Sequence, residues 1–214
     1  LSELFDSNPD EPGGAVGVQS DRVDIAVTDH AVHDHPLSGF HLIRHFQDTF
    51  LARHGFQVTA VDFAPTAARA MHARQDPAEP LVILQADWFD LPPRLNGVFD
   101  YVLEYVFIAA IDPAQRAAFA DVVAALLRPG GAFIGLLWPI GTHSSGPPFA
   151  VQPDDVIALL ADRGLSLLRR ERPPDSVPWR QGKEELVVMA RGNYPSASPT
   201  TISRSLSSSK REPS

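Results

Sequence analysis

Strands and helices alternate from Gln57 to Gly164, and no other feature of the chain restricts its fold as much. "QVTAVDF" is a β-branched strand, and "APTAARAMHAR" is a helix with Pro65 in its first turn and strong helix formers behind it. "LVILQAD" is a continuous apolar run, as expected of a strand covered on both faces, and "FDYVLEYVF" is another. "DPAQRAAFADVVAALLR" opens with Asp112 as cap and Pro113 at the first position, and its apolar residues recur at helical spacing. "PGG" ends that helix before the strand "AFIGLLW", and "QPDDVIALLADRG" repeats the helix signals up to Gly164. Two more strands follow, "LSLLRRER" and "EELVVMAR", joined by a Pro-rich connection with no helix. Alternation of this kind requires a parallel, doubly wound sheet with helices on both faces. A final pair without a helix between its strands must be antiparallel. The expected class is therefore α/β, a doubly wound, mostly parallel sheet with a terminal antiparallel strand pair.

The flanks differ in texture. Residues 1–22 are rich in Gly, Pro, Asp and Ser without a sustained period, and are expected to be irregular. Residues 192–214 are dominated by Ser, Thr and Pro and are expected to form a disordered tail, because they bury too little apolar surface to offset ordering. One domain over residues 23–191 remains, with "VDIAV" as its first strand and "FHLIRHFQDTFLARHG" as its first helix.

Composition removes several functions. A net charge of −8 disfavours nucleic acid as a partner, since phosphate binding wants a basic face. With no cysteine, the chain has no disulfide, thiolate nucleophile or cysteine-bound zinc. No apolar run reaches the ~20 residues that span a bilayer, so no membrane partner is expected. A cytoplasmic monomer is the expectation. The histidines of "DHAVHDHPLSGFHLIRH" (His30, His33, His35, His41 and His45) match no closed ligand set, and no metal is expected.

Ligands of open α/β sheets bind beyond the carboxyl ends of the strands, which makes strand-end residues the candidates. Asp62 ends "QVTAVD", where a carboxylate either accepts the ribose hydroxyls of an adenosine-containing cofactor or caps the next helix. Asp87, with Trp88 and Phe89 beside it, either meets an adenine ring and its amino group or is a solvated strand end next to a core aromatic. Glu104 and Tyr105 end the central strand, and Trp138–Pro139 the next. Tyr105 either orients a nucleophile or the cofactor's amino-acid part, or simply keeps its ring in the core and its hydroxyl at the rim. His143 lies in "WPIGTHSSGPPFAV", a turn-rich loop suited to fold over the crevice as a lid.

Taken together, "VTAVDFAPTA", "QADWFDLPP", "FDYVLEYVFIAAIDPAQR", "LLRPGG", "WPIGTHSSGPPFAV" and "DSVPWRQGKEEL" resemble, in order and spacing, the thiopurine S-methyltransferase family. The nearest branch is that of the thiol and halide methyltransferases. The resemblance covers about residues 55–191. It implies the Rossmann-like class I methyltransferase fold, S-adenosylmethionine as cofactor, and methyl transfer to a small thiol, thiopurine or halide. By motif match, Asp62 would bind the ribose, Asp87 and Trp88 the adenine, and Tyr105 would serve as cofactor contact and catalytic residue near the sulfonium. His143, Pro147, Pro148 and Phe149 would form the lid or touch substrate.

The sequence departs from that family upstream. A "GCGxGxD"-like loop is expected ~20 residues before the ribose acid. The link between the first strand and first helix holds only Gly39, with His, Asp and Pro where glycines belong, so the N-terminal part is atypical. Glycines there let the backbone approach a cofactor and adopt conformations barred to other residues. The alternative to an enzyme is therefore a catalytically inactive, methyltransferase-like binding module; a reading-frame error upstream of about His54 would leave the same trace. A nicotinamide dehydrogenase ranks last, lacking the G-x-G-x-x-G fingerprint.

Overall fold

A computed structural model describes residues 24–28, 50–78, 81–143 and 145–192. The expected irregular start at 1–22, the histidine-rich stretch and the tail beyond 192 lie outside the described residues. Seven strands form one sheet: β1 (Asp24–Thr28), β2 (Gln57–Asp62), β3 (Leu81–Gln85), β4 (Phe99–Tyr105), β5 (Leu127–Leu137), β6 (Leu165–Glu171) and β7 (Glu185–Arg191). The helices are α1 (Pro65–Arg74), α2 (Phe107–Ala110), α3 (Arg116–Leu126) and α4 (Pro153–Ala161), with a further helical turn at residues 50–53.

The strand order is β3-β2-β1-β4-β5-β7-β6. Strands β1 to β5 run parallel, and β7 is antiparallel to both β5 and β6. The antiparallel ribbon expected of the last two strands is present, and its second strand inserts between β5 and β6. Asp24–Thr28, overlapping the expected "VDIAV", supplies the strand next to the switch point, pairing Ile25 with both Val58 and Tyr101. Strand β3 departs from expectation. It is an edge strand, so Val82 is 60% exposed instead of covered on both faces.

Period-two alternation sorts side chains onto two faces. Val58 and Ala60 of β2 join Leu51, Met71 and Leu81 in one cluster, while Val61 joins Val102, Phe119, Leu126 and Leu160 in the larger one. In the larger cluster Phe119 stacks on Trp88 at 5.8 Å and meets Phe133 edge-on. Full burial of such rings contributes ~1.5–3 kcal/mol each. Helices α3 and α4 are joined by Arg163, which donates to Asp121 at 2.6 Å and to the carbonyls of Ala117 and Leu159. No helix among the described residues is long and apolar enough to cross a membrane.

Candidate functional site

Because β7 runs backwards, its first residue stands beside the last residue of β5: Glu185 pairs with Leu137. The connection over residues 172–184 therefore emerges at the carboxyl edge of the parallel strands, where Asp62, Tyr105 and Trp138 also end. Two separate clusters occupy this edge.

The first is a cavity of 260 Å³ beyond β2 and β3, lined by Val61, Phe63, Asp87, Trp88, Phe107 and Gln115 among others. Asp87 is exposed, and its Oδ1 accepts from the backbone N–H of Phe89 at 2.9 Å, fixing the turn that carries Trp88. Trp88 is 3% exposed, and its indole N–H is buried without a hydrogen-bond partner among the described residues. Such a donor costs ~1–3 kcal/mol unless something accepts from it. Asp62 lies just before the cavity residue Phe63. It is buried, and its Oδ1 accepts from the N–H of Ala64 at 2.7 Å, shaping the turn into α1.

The second cluster surrounds a cation. Arg180, 1% exposed, has its guanidinium carbon 4.5 Å from the Trp138 ring centre, 4.6 Å from Trp179 and 5.1 Å from Tyr105. Its Nη1 donates to the Tyr105 hydroxyl at 2.5 Å and lies 3.5 Å from Glu184 Oε2. Trp138 and Trp179 meet edge to face at 5.5 Å.

Between the clusters the chain is strained. Val106, directly after Tyr105, adopts φ 73°, a left-handed conformation costly for a β-branched residue. That turn ends β4 and starts α2, whose Ile108 N–H donates to the buried carboxylate of Glu104 at 3.0 Å. The expected lid is fastened rather than loose. Phe149 N–H donates to Ala109 O at 2.7 Å, and Ile140 N–H to Lys183 O at 2.9 Å. Arg116 donates to Ile108 O at 3.3 Å and to Ala150 O at 2.9 Å. Burial lowers the pKa of Arg116, and Asp155, Glu104 and Asp112 oppose that shift. His143, Pro147 and Pro148 are exposed, with His143 Nε2 3.3 Å from Pro148 O, and Phe149 is half-buried.

The family model for thiopurine S-methyltransferase matches residues 45–192, well over half the chain and from a point upstream of residue 55. The chain belongs to the thiopurine S-methyltransferase family. Among curated members and relatives, thiocyanate methyltransferase 1 of Arabidopsis thaliana is 33% identical over 132 residues, covering 60% of this chain and 57% of that protein. Bovine thiopurine S-methyltransferase is 33% identical over 69 residues, 32% of this chain and 28% of that protein. The chain thus spans little more than half the length of the Arabidopsis relative, and less of the bovine one. Among solved structures, the N-methyltransferase NodS of Bradyrhizobium japonicum superposes with a TM-score of 0.60 at 16% identity, over 79% of this chain and 86% of that one. The same protein in complex with S-adenosylhomocysteine gives 0.59 at 14% identity, over 79% and 78% of the two chains. At such identities the likeness concerns the fold, which is that of the class I methyltransferases.

For a member of this family, the resemblance named Asp62, Asp87, Trp88 and Tyr105 and set Tyr105 apart from Asp87 and Trp88. The structure gathers Asp87 and Trp88 around one cavity and puts Tyr105 in a different cluster. Arg180, Trp179 and Arg116 went unassigned. "DSVPWRQGKEEL" carried a signal for the first two: a tryptophan–arginine pair inside a Pro-rich connection, where packing alone asks for neither.

Proposed function

We propose that this chain is a cytoplasmic, monomeric S-adenosylmethionine-dependent methyltransferase acting on a small thiol, thiopurine or halide, with residues 23–191 as its catalytic domain. The observation that carries this reading is the cavity with its two carboxylates, Asp87 and Asp112, and the Trp88 ring in its wall. At 260 Å³ it falls just below the ~300 Å³ lower end of whole small-ligand sites, so it suits a nucleobase rather than an entire ligand. An adenine ring fits that lining: the apolar walls cover its faces, and Asp87 accepts from its amino group. Asp62, at the end of β2, holds the ribose.

Bound S-adenosylmethionine supplies a methyl group on a sulfonium; an acceptor anion provides the electron pair of the new bond, and the pair of the broken bond stays on sulfur. No proton has to move. The residues of the chain therefore orient and desolvate more than they titrate. Tyr105 orients the acceptor from the tip of β4. The loop bearing His143, Pro147, Pro148 and Phe149 excludes water.

The test is calorimetric titration of the folded chain with S-adenosylhomocysteine. Micromolar binding is expected. No binding by a cooperatively folded chain would instead favour the inactive module.

A further inference from the structure

The Arg180 cluster is more elaborate than packing requires. A guanidinium is always charged, and burying one is costly unless its surroundings compensate. Here three aromatic faces and Glu184 do so. The cation is delivered to the crevice edge by a connection that the reversed β7 returns there. Its Nη1 ends 2.5 Å from the hydroxyl of the residue at the tip of the central strand.

A hydroxyl has one proton and two lone pairs. Arg180 has no lone pair to offer, so Tyr105 must accept from it and must turn its own proton elsewhere. Accepting a charge-assisted hydrogen bond polarises the O–H and makes it a better donor. A buried cation thus stands on one side of the Tyr105 hydroxyl, and the proton of that hydroxyl is turned away from it.

We propose that Arg180 is a positioning residue that makes Tyr105 select an anionic acceptor, a thiolate or halide, over its neutral form. The proposal rests on the methyltransferase reading and deepens it. Arg180 does not touch the acceptor. It fixes the direction of the Tyr105 proton and supplies the charge that a desolvated anion needs nearby. Glu184 Oε2 lies 3.5 Å from the same Nη1 and helps to hold it against the Tyr105 hydroxyl.

The experiment titrates iodide into the chain saturated with S-adenosylhomocysteine and compares wild type with Arg180→Gln, Arg180→Lys and Tyr105→Phe. Wild type is expected to bind iodide saturably. Arg180→Gln and Tyr105→Phe should each weaken iodide at least tenfold, and in Arg180→Gln the S-adenosylhomocysteine affinity should stay within about twofold. Arg180→Lys should recover part of the loss, because it restores the charge without the planar fork. Equal iodide affinity in wild type and Arg180→Gln overturns the proposal. If Arg180→Gln loses its cooperative unfolding transition, Tyr105→Phe decides, since it leaves the cation in place: unchanged iodide binding overturns the proposal, and a tenfold loss supports it. Absence of S-adenosylhomocysteine binding in wild type is a different failure, that of the methyltransferase reading itself.

Discussion

Arg116 Nη2 donates to the carbonyl of Ala150 at 2.9 Å, tying the first residue of α3 to a loop residue 34 positions later. The same side chain reaches Ile108 O in α2, so one guanidinium clasps three segments. Arg116→Ala leaves two backbone carbonyls without their donor, at a cost of ~1–3 kcal/mol. Arg116→Lys keeps the charge but not the fork and should recover less than half. Chemical denaturation of both variants checks this; equal stability of Arg116→Ala and wild type would remove the clasp.

Val106 is a buried valine with a left-handed backbone. At an ordinary buried position glycine is worse than alanine. Here alanine keeps the ~1–3 kcal/mol backbone penalty and glycine does not. Val106→Gly should therefore be at least as stable as Val106→Ala. An alanine variant more stable by over about 1 kcal/mol would show the backbone to be unstrained.

Gly131 has no room for a side chain. A Cβ there would stand 2.9 Å from Asp100 O, 3.0 Å from Phe99 O and 3.1 Å from Arg128 O, all of them backbone atoms. These atoms surround the irregular register between β4 and β5, where Asp100 also pairs with Arg128. Gly131→Ala should cost ~1–3 kcal/mol by overpacking, seen as a lower melting temperature.

Asp121 is held below the usual carboxylate range, chiefly by its hydrogen bond from Arg163. A carboxyl whose folded pKa is depressed adds stability above its unfolded pKa and loses it as pH falls through the folded one. Asp121 is well exposed, so screening keeps the contribution under ~1 kcal/mol. The stability gap between wild type and Asp121→Asn should be constant from neutral pH down to about pH 5 and close below about pH 3.9. A gap that widens in acid contradicts this sign.

Asp87 tests the cavity. Asp87→Ala removes the carboxylate and should weaken S-adenosylhomocysteine about tenfold, or ~1.4 kcal/mol. Asp87→Asn keeps an acceptor both for Phe89 N–H and for an amino group, and should lose much less. Indistinguishable affinities in all three proteins would place the nucleobase elsewhere.

What sequence reasoning could reach was local. The helix start at Pro65 and the cap at Asp112 are written in single residues, although Asp112 caps the short turn Pro113–Gln115 and α3 begins only at Arg116. The helix stops are not: α4 ends at Ala161 rather than at Gly164, and α3 ends at Leu126, so that "LRPGG" opens β5 instead of stopping the helix. The antiparallel ribbon followed from a missing helix. Its insertion beside β5 did not, because nothing in "EELVVMAR" names its partner. Strand β3 looked central since its apolar run is that of a covered strand, yet only tertiary pairing decides which strand is last. Val106 runs against local propensity altogether. The Arg180–Tyr105 bond joins residues 75 apart, beyond any pattern of spacing. Asp87 and Trp88 were legible as strand-end chemistry, and the resemblance already kept them apart from Tyr105, but the partner of Tyr105 needed the fold.

The insertion of β7 has a consequence for synthesis. Strand β5 is paired on one side by β4, made earlier, and on the other by residues 185–191, the last strand among the described residues. While the ribosome is still adding the preceding segments, Ala132–Leu137 presents a bare, apolar strand edge, the kind that recruits other chains. The described sheet is completed beside β5 only once β7 arrives. A nascent chain stalled short of Glu185 is thus one to be held by a chaperone or cleared, rather than a partly working protein.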